Sequence, residues 1–233
     1  MRKNNIDKKG EKGFRNPKEE SYIPTNWQTR IVLKRPILFL ASALLLAGCA
    51  AMYGYRPLKS FEQKKCDRFA KSIDRHTVSI CPIIGDSVQF AVYRNLSSDS
   101  LWRDWRLVQP MQILYFANDS LVSFHRNCTA RGKLFSLDWN FDNRFGEFPP
   151  KTAVPLEDNG LSYRKLQQIY QLPESLNTEY QIVIFWTNMF RRISKDAVNT
   201  VLDNIEKFGI GMSEKCDIFL INNDKTYIHI SEQ

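Results

Sequence analysis

Hydrophobic residues fall along this chain in three rhythms, and each predicts a different kind of element. The first is an unbroken run: Pro36 to Gly48 reads PILFLASALLLAG, thirteen residues without a charge, preceded by Lys34 and Arg35 and followed by Cys49. The second is helical spacing. In KSFEQKKCDRFAKSID, Cys66, Phe69, Ala70 and Ile73 share one face, which predicts a helix over 59–73. In LSYRKLQQIYQLP, Leu166, Ile169 and Tyr170 do the same, with Ser162 as cap and Pro173 as stop. The longest stripe opens at Ser194 and runs through Ala197, Val198, Val201, Leu202, Ile205 and Phe208, after which Gly209 and Gly211 can close a helix in the left-handed conformation.

The third rhythm is that of strands. HTVSICPI alternates, and Pro82 favours an edge position because it has no N–H for a ladder. SVQFAVYR, residues 87–94, and LFSLDW, residues 134–139, read as two further strands. MQILYFANDSLVSFHRNC holds two runs of strand formers around Asn118-Asp119, residues that tolerate the positive φ of a tight turn, so a hairpin is expected. FGEFPPKTAVP is too rich in Pro and Gly to be regular. Ile182 to Trp186 is a continuous apolar run, as in a strand covered on both faces, and Asp217 to Ile221 is its return partner. Their spacing, about 40 residues, suits a right-handed βαβ unit. The expected fold class is α+β: a mixed sheet with packed helices and a C-terminal βαβ unit.

These rhythms divide the 233 residues into 1–35, a basic tail or signal n-region; 36–52, a signal h-region or transmembrane helix; 53–58, a tether; and 59–233, one globular domain. A content of 43% hydrophobic and 12% aromatic residues suits an ordinary packed domain. Charge changes the picture only once it is located. Residues 1–35 hold ten Lys or Arg against four Asp or Glu, so of the net +8 only +2 belongs to the remaining 198 residues. A near-neutral domain lacks the footprint of a nucleic-acid binder.

A short apolar run behind a basic flank is the arrangement of an export signal. Leu46-Ala47-Gly48-Cys49 resembles the lipobox of bacterial lipoproteins. The resemblance implies cleavage before Cys49, a lipid on its sulfur, and a folded part held at a membrane of the cell envelope, on the far side of the inner membrane. Two or more acyl chains give stable anchoring. About 30 polar residues before the flank exceed an ordinary signal peptide, so an uncleaved transmembrane helix, extended through Tyr55 to about 20 residues, is the alternative. Either way the basic residues stay cytoplasmic and the domain lies outside.

The run QIVIFWTNMFRRISKDAVNTVLDNIEKF is similar to the strand-to-helix segment of thioredoxin-like proteins, and Ile221-Asn222-Asn223-Asp224 is similar to the end of that family's next strand. That family places Cys-x-x-Cys just after the Trp; here the turn reads Thr187-Asn188-Met189-Phe190-Arg191-Arg192, so dithiol exchange cannot run there. QPMQILYF, SFHRNC and FWTNMF also resemble a group of envelope lipoproteins that brings no function with it.

Candidate chemistry is sparse. Apart from Cys49 the cysteines are Cys66, Cys81, Cys128 and Cys216, four that allow three pairings in an oxidising compartment. A Cys66–Cys81 link would close a loop of about 15 residues, worth about 3 kcal/mol in the chain-entropy model; small buried thiols are the competing reading. His125 and Cys128 form H-x-x-C without a second ligand pair, His76 and His229 being the other histidines, so no metal site is expected. Asp138, Asp142 and Glu147 lie among aromatic residues as in sugar-binding sites, or in a loop with partly buried rings. Arg191 and Arg192 near the start of the C-terminal helix could hold an anion with that terminus, but basic residues there oppose the helix dipole, so they read as solvated surface. The Asn-x-Ser/Thr sequons at Asn95, Asn118 and Asn127 read as accidental. No Gly-rich phosphate loop, G-x-S-x-G or H-E-x-x-H occurs, and no cofactor is implied. The expected role is a non-catalytic module that binds an envelope protein or glycan, with a thiol-redox-derived module as the alternative.

Overall fold

The structure, a computed structural model, describes residues 54–73, 80–133, 136–174, 178–210 and 216–232. Cys49, the apolar run before it, His76 and Gly211 lie outside the described residues. No helix among the described residues is long and apolar enough to cross a membrane.

The described chain runs α1 (Gln63–Ile73), β1 (Ile80–Ile84), α2 (Ser87–Arg94), a π-type turn (Trp102–Arg106), β2 (Gln112–Ala117), β3 (Ser120–Arg126), β4 (Arg131–Lys133), β5 (Ser136–Asp138), α3 (Tyr163–Tyr170), β6 (Tyr180–Trp186), α4 (Arg191–Lys207), β7 (Cys216–Asn222) and α5 (Asp224–Ser231). Five strands form one sheet in the order β1-β7-β6-β2-β3, and β4 pairs with β5 as a separate ribbon. β1, β7 and β6 are parallel, whereas β2 is antiparallel to both β6 and β3. The fold is α+β with a mixed sheet. The βαβ unit is β6-α4-β7.

Alternation along the strands explains why β6 is apolar throughout. Ile182, Ile184 and Trp186 enter one core with Phe69 and Ile73 of α1 and Ala197, Val198, Val201, Leu202 and Ile205 of α4. Val183 and Phe185 enter the other, with Phe90 and Tyr93 of α2 and Leu166 and Tyr170 of α3. Helices on both faces leave no polar side for β6 to present. β1 is an edge strand, and Pro82 is exposed on it as its missing N–H requires.

The hairpin turns at Asn118 (φ 50°) and Asp119 (φ 68°), the paired left-handed conformation of a tight type I′ turn. Ser162 caps α3 by accepting from the Lys165 N–H. Gly160 precedes it at φ +69°, where a Cβ would lie 2.5 Å from the Leu96 carbonyl oxygen, so glycine is required on both counts.

Three readings are corrected, the first being the start of α1, which opens at Gln63 and not at residue 59. Residues 87–94 form a helix, not a strand. Asp86 accepts from the Gln89 N–H at 2.8 Å while the Gln89 side chain accepts from the Asp86 N–H at 3.1 Å, a reciprocal cap that starts a helix. The apparent alternation of Val88, Phe90 and Val92 conceals an i, i+3 pair, Phe90 and Tyr93, that is buried, while Val88 and Val92 face outward. The long helix opens at Arg191, not Ser194. Ser194 is buried in its first turn and donates to the Thr187 carbonyl at 3.0 Å, joining the helix to the end of β6.

Candidate functional site

Parallel strands end on the same side of a sheet, and the crevice outside their carboxyl ends is where open sheets collect ligands. Here β6 ends at Trp186 and β7 at Asn222, in register with each other. The residues at and after these ends are polar yet buried: Thr187, Asn188, Asn222, Asn223, Asp224 and Thr226.

Asp224 organises them. One carboxylate oxygen accepts from the Thr187 hydroxyl at 2.7 Å and the Asn188 backbone N–H at 2.8 Å; the other accepts from the Asn188 side-chain amide at 2.7 Å. The Asn188 amide oxygen in turn accepts from Arg191 at 3.2 Å, and the same guanidinium nitrogen reaches the Lys65 carbonyl on α1, also at 3.2 Å. Arg191 further rests 5.7 Å from the Phe69 ring, which is stacked at 3.8 Å on Trp186. A buried carboxylate thus fixes the turn after β6, and the turn aims an arginine. Thr226, the Asn223 side chain and the Asn222 amide nitrogen add buried polar atoms without a hydrogen-bond partner among the described residues, a polarity that packing alone does not call for.

Over this floor lies an open cleft of ≈ 680 Å³, walled by residues 56–60 and by α1. Its basic side chains are Arg56, Lys59, Lys65, Arg68 and Arg191; its carboxylates are Glu62 and Asp224. Glu62 pairs with Lys65 at 2.5 Å, and Asp224 is occupied by its three donors. The cleft is therefore electropositive, although the domain as a whole is nearly neutral. A concave basic surface concentrates anions.

The residues singled out from the sequence scatter by comparison. Cys66 and Cys81 lie on opposite faces of the sheet, one in each core, and all four described cysteines are free thiols; the sheet stands between the two that the sequence pairs. Burial, then the charge on Asp224, pushes the Cys66 thiol up to about 12; burial, then Asp217, pushes Cys216 up to about 11. His125 is buried on β3, bonded to the Ser123 hydroxyl at 3.1 Å and packed 4.7 Å from Phe145. Burial, reinforced by Arg144, holds its imidazole down at about 3, so it is neutral. Cys128 is exposed in the following turn, apart from it. No group of three His, Cys, Asp or Glu converges among the described residues.

Asp142 and Glu147 are exposed and Asp138 sits on β5. The rings between them are structural: Phe145 covers His125, Phe141 takes Arg131 and Arg144 over its face, and Phe148 meets Tyr115 and Tyr180 edge-on. Arg192 is exposed as expected, but Arg191 belongs to the site and not to solvated surface. Sequence reasoning missed Asn188, Arg191 and Asp224 as a unit. The available signal was that polar residues follow directly on two buried parallel strands, Thr187-Asn188 after one and Asn223-Asp224 after the other.

No protein-family model matches this chain, and comparison with curated proteins and with solved structures likewise finds no match.

Proposed function

We propose that this chain is a membrane-anchored protein of the bacterial cell envelope whose domain works by binding, and that its cleft holds an anionic group. The observation that carries the reading is the basic cleft at the carboxyl ends of β6 and β7, with Arg191 held in place from Asp224 through Asn188. The lipobox-like Leu46-Ala47-Gly48-Cys49 behind a basic flank supports the address. The full-length protein in detergent, titrated with inorganic phosphate, tests the cleft. Phosphate at ten times its Kd should raise Tm by about 3–5 °C, and Lys59→Gln with Arg68→Gln should reduce that rise. An equal rise with sodium chloride at matched ionic strength, or none, would overturn it. Intact mass and acyl labelling beside Cys49→Ala tests the address; a full-length chain without Cys49-dependent lipid would replace the lipoprotein by a signal-anchored protein.

A second reading, a thiol-redox-derived module, draws on one observation. The Cys66 sulfur lies 3.7 Å from the Asn188 amide, beside the turn where thioredoxin-like proteins place their dithiol. A thiol pushed up to about 12 works against it, since the thiolate is the nucleophile. Iodoacetamide at pH 7, read by peptide mass, decides: Cys128 should label first, with Cys66 and Cys216 protected. Rapid labelling of Cys66 would favour the redox reading.

A further inference from the structure

We infer that the end of the domain carrying the cleft docks on a bilayer of anionic phospholipid, with Leu101 and Trp105 seated among the lipids and the cleft on headgroup phosphates. The inference rests on both parts of the proposed function, the N-terminal membrane anchor and the anion-binding cleft, and names the source of the anion.

Chain geometry supplies the first argument. Gly54 is five residues on from Cys49, and an extended chain spans at most about 3.6 Å per residue, so Gly54 lies within about 18 Å of a lipid-bearing Cys49. If the apolar run is a transmembrane helix over 36–52, the distance is shorter still. Gly54 is placed at the cleft end of the domain: a Cβ added to it would lie 3.6 Å from the Arg192 Cβ, Tyr55 packs on Phe190 at 5.6 Å, and the Arg56 N–H donates to the Met189 carbonyl at 2.9 Å. A link of that length keeps the cleft end of the domain near the membrane.

The second argument is an apolar surface at that same end. β2 begins where β6 ends, Gln112 being opposite Phe185, so the π-type turn just before β2 lies beside the crevice. Tyr227 of α5 donates to the Val108 carbonyl, tying that segment to the helix that Asp224 opens. From it project Leu101, 50% exposed, and Trp105, 67% exposed, four residues apart, while the neighbouring α2 presents Val88 at 70% and Val92 at 48%. Large apolar side chains gathered on one surface mark an interaction site, and an exposed Trp beside basic residues suits a membrane interface.

Charge complementarity is the third. Around Trp105 stand Arg94, Arg103 and Arg126, with Asp104 paired to the first two and Arg126 donating to the Trp105 carbonyl. The cleft adds Arg56, Lys59, Lys65 and Arg68. A basic surface around an apolar one matches anionic headgroups over acyl chains.

The test uses the full-length protein reconstituted in vesicles whose acyl chains carry bromine, which quenches nearby Trp emission. Wild type is compared with Trp105→Phe in pure phosphatidylcholine and in phosphatidylcholine with about 30% phosphatidylglycerol, whose anionic headgroups attract basic residues. The Trp105 share of the emission should be quenched at least about twofold more in the anionic vesicles, and Lys59→Gln with Arg68→Gln should erase that difference. Equal quenching of Trp105 in both compositions would overturn the inference. So would a Trp105 that is not quenched in either, the result expected if this surface is covered by a protein or a second copy. Phosphate stabilisation in detergent that persists beside unquenched Trp105 would leave the cleft reading standing and remove only the bilayer.

Discussion

In the parallel half of the sheet, β1, β7 and β6 deliver their ends to one side, and the buried polar group found there, Asp224, is a carboxylate held by three donors. In the antiparallel half, β2 and β3 close on a two-residue turn, and the buried titratable groups Tyr115 and His125 are kept neutral by burial, His125 between Ser123 and Phe145. Burial disfavours charge unless partners compensate for lost water. One half supplies that compensation from the residues following two strands, the other avoids the need for it. Polar capacity for a ligand therefore lies where crossovers converge, since a hairpin leaves too few residues to build it.

The comparison can be broken in several places. Phe69→Ala in the crevice floor and Phe124→Ala on β3 should each cost about 3–5 kcal/mol of unfolding free energy in urea. Only Phe69→Ala should also weaken the phosphate response, because that ring supports Arg191 and Trp186. If both variants lose it, the halves are not independent.

Asp224→Ala leaves the Thr187 hydroxyl and two Asn188 donors buried without their acceptor and should cost about 3 kcal/mol, with Asp224→Asn about half as severe. An unchanged urea midpoint would show that the network does not hold the turn.

His125 sharpens the contrast through pH. Its folded value near 3 lies below the ordinary 6.5, so the unfolded chain takes up a proton first as pH falls. Its contribution is complete above 6.5 and declines toward 3 by up to about 1.4 kcal/mol per pH unit. His125→Gln should flatten the stability curve between pH 6 and 4 by about that slope; an unaltered curve would mean that His125 is not kept neutral. The smallest effect concerns α2: Asp86→Ala should cost about 1 kcal/mol, a loss that a strand at 87–94 would not show.

Much of the fold was legible because burial repeats along the chain. The faces of α1, α3 and α4, the two-faced β6, the Asn118-Asp119 turn and the edge position of Pro82 all follow from local pattern. Residues 87–94 misled because Val88, Phe90 and Val92 imitate alternation, and the decisive cue, Asp86 with Gln89, is a cap and not a hydrophobic pattern. The Cys66–Cys81 link looked reasonable at fifteen residues, yet sequence distance carries no information about which face of a sheet each thiol enters. Arg191 looked like surface because its partners, Asn188 and the Lys65 carbonyl, are set by the strand end and by another helix.

By itself the sequence determined the period of each element, the apolar run before Cys49 and the concentration of most of the net positive charge in the first 35 residues, since these depend only on neighbours along the chain. The tertiary structure decided that Asn188, Arg191 and Asp224 are one unit, that the tether cations face them, and that Leu101 and Trp105 share their end of the domain. Those relations arise where parallel strands bring residues 36 positions apart into hydrogen-bonding distance, and no local rule records which ends will meet.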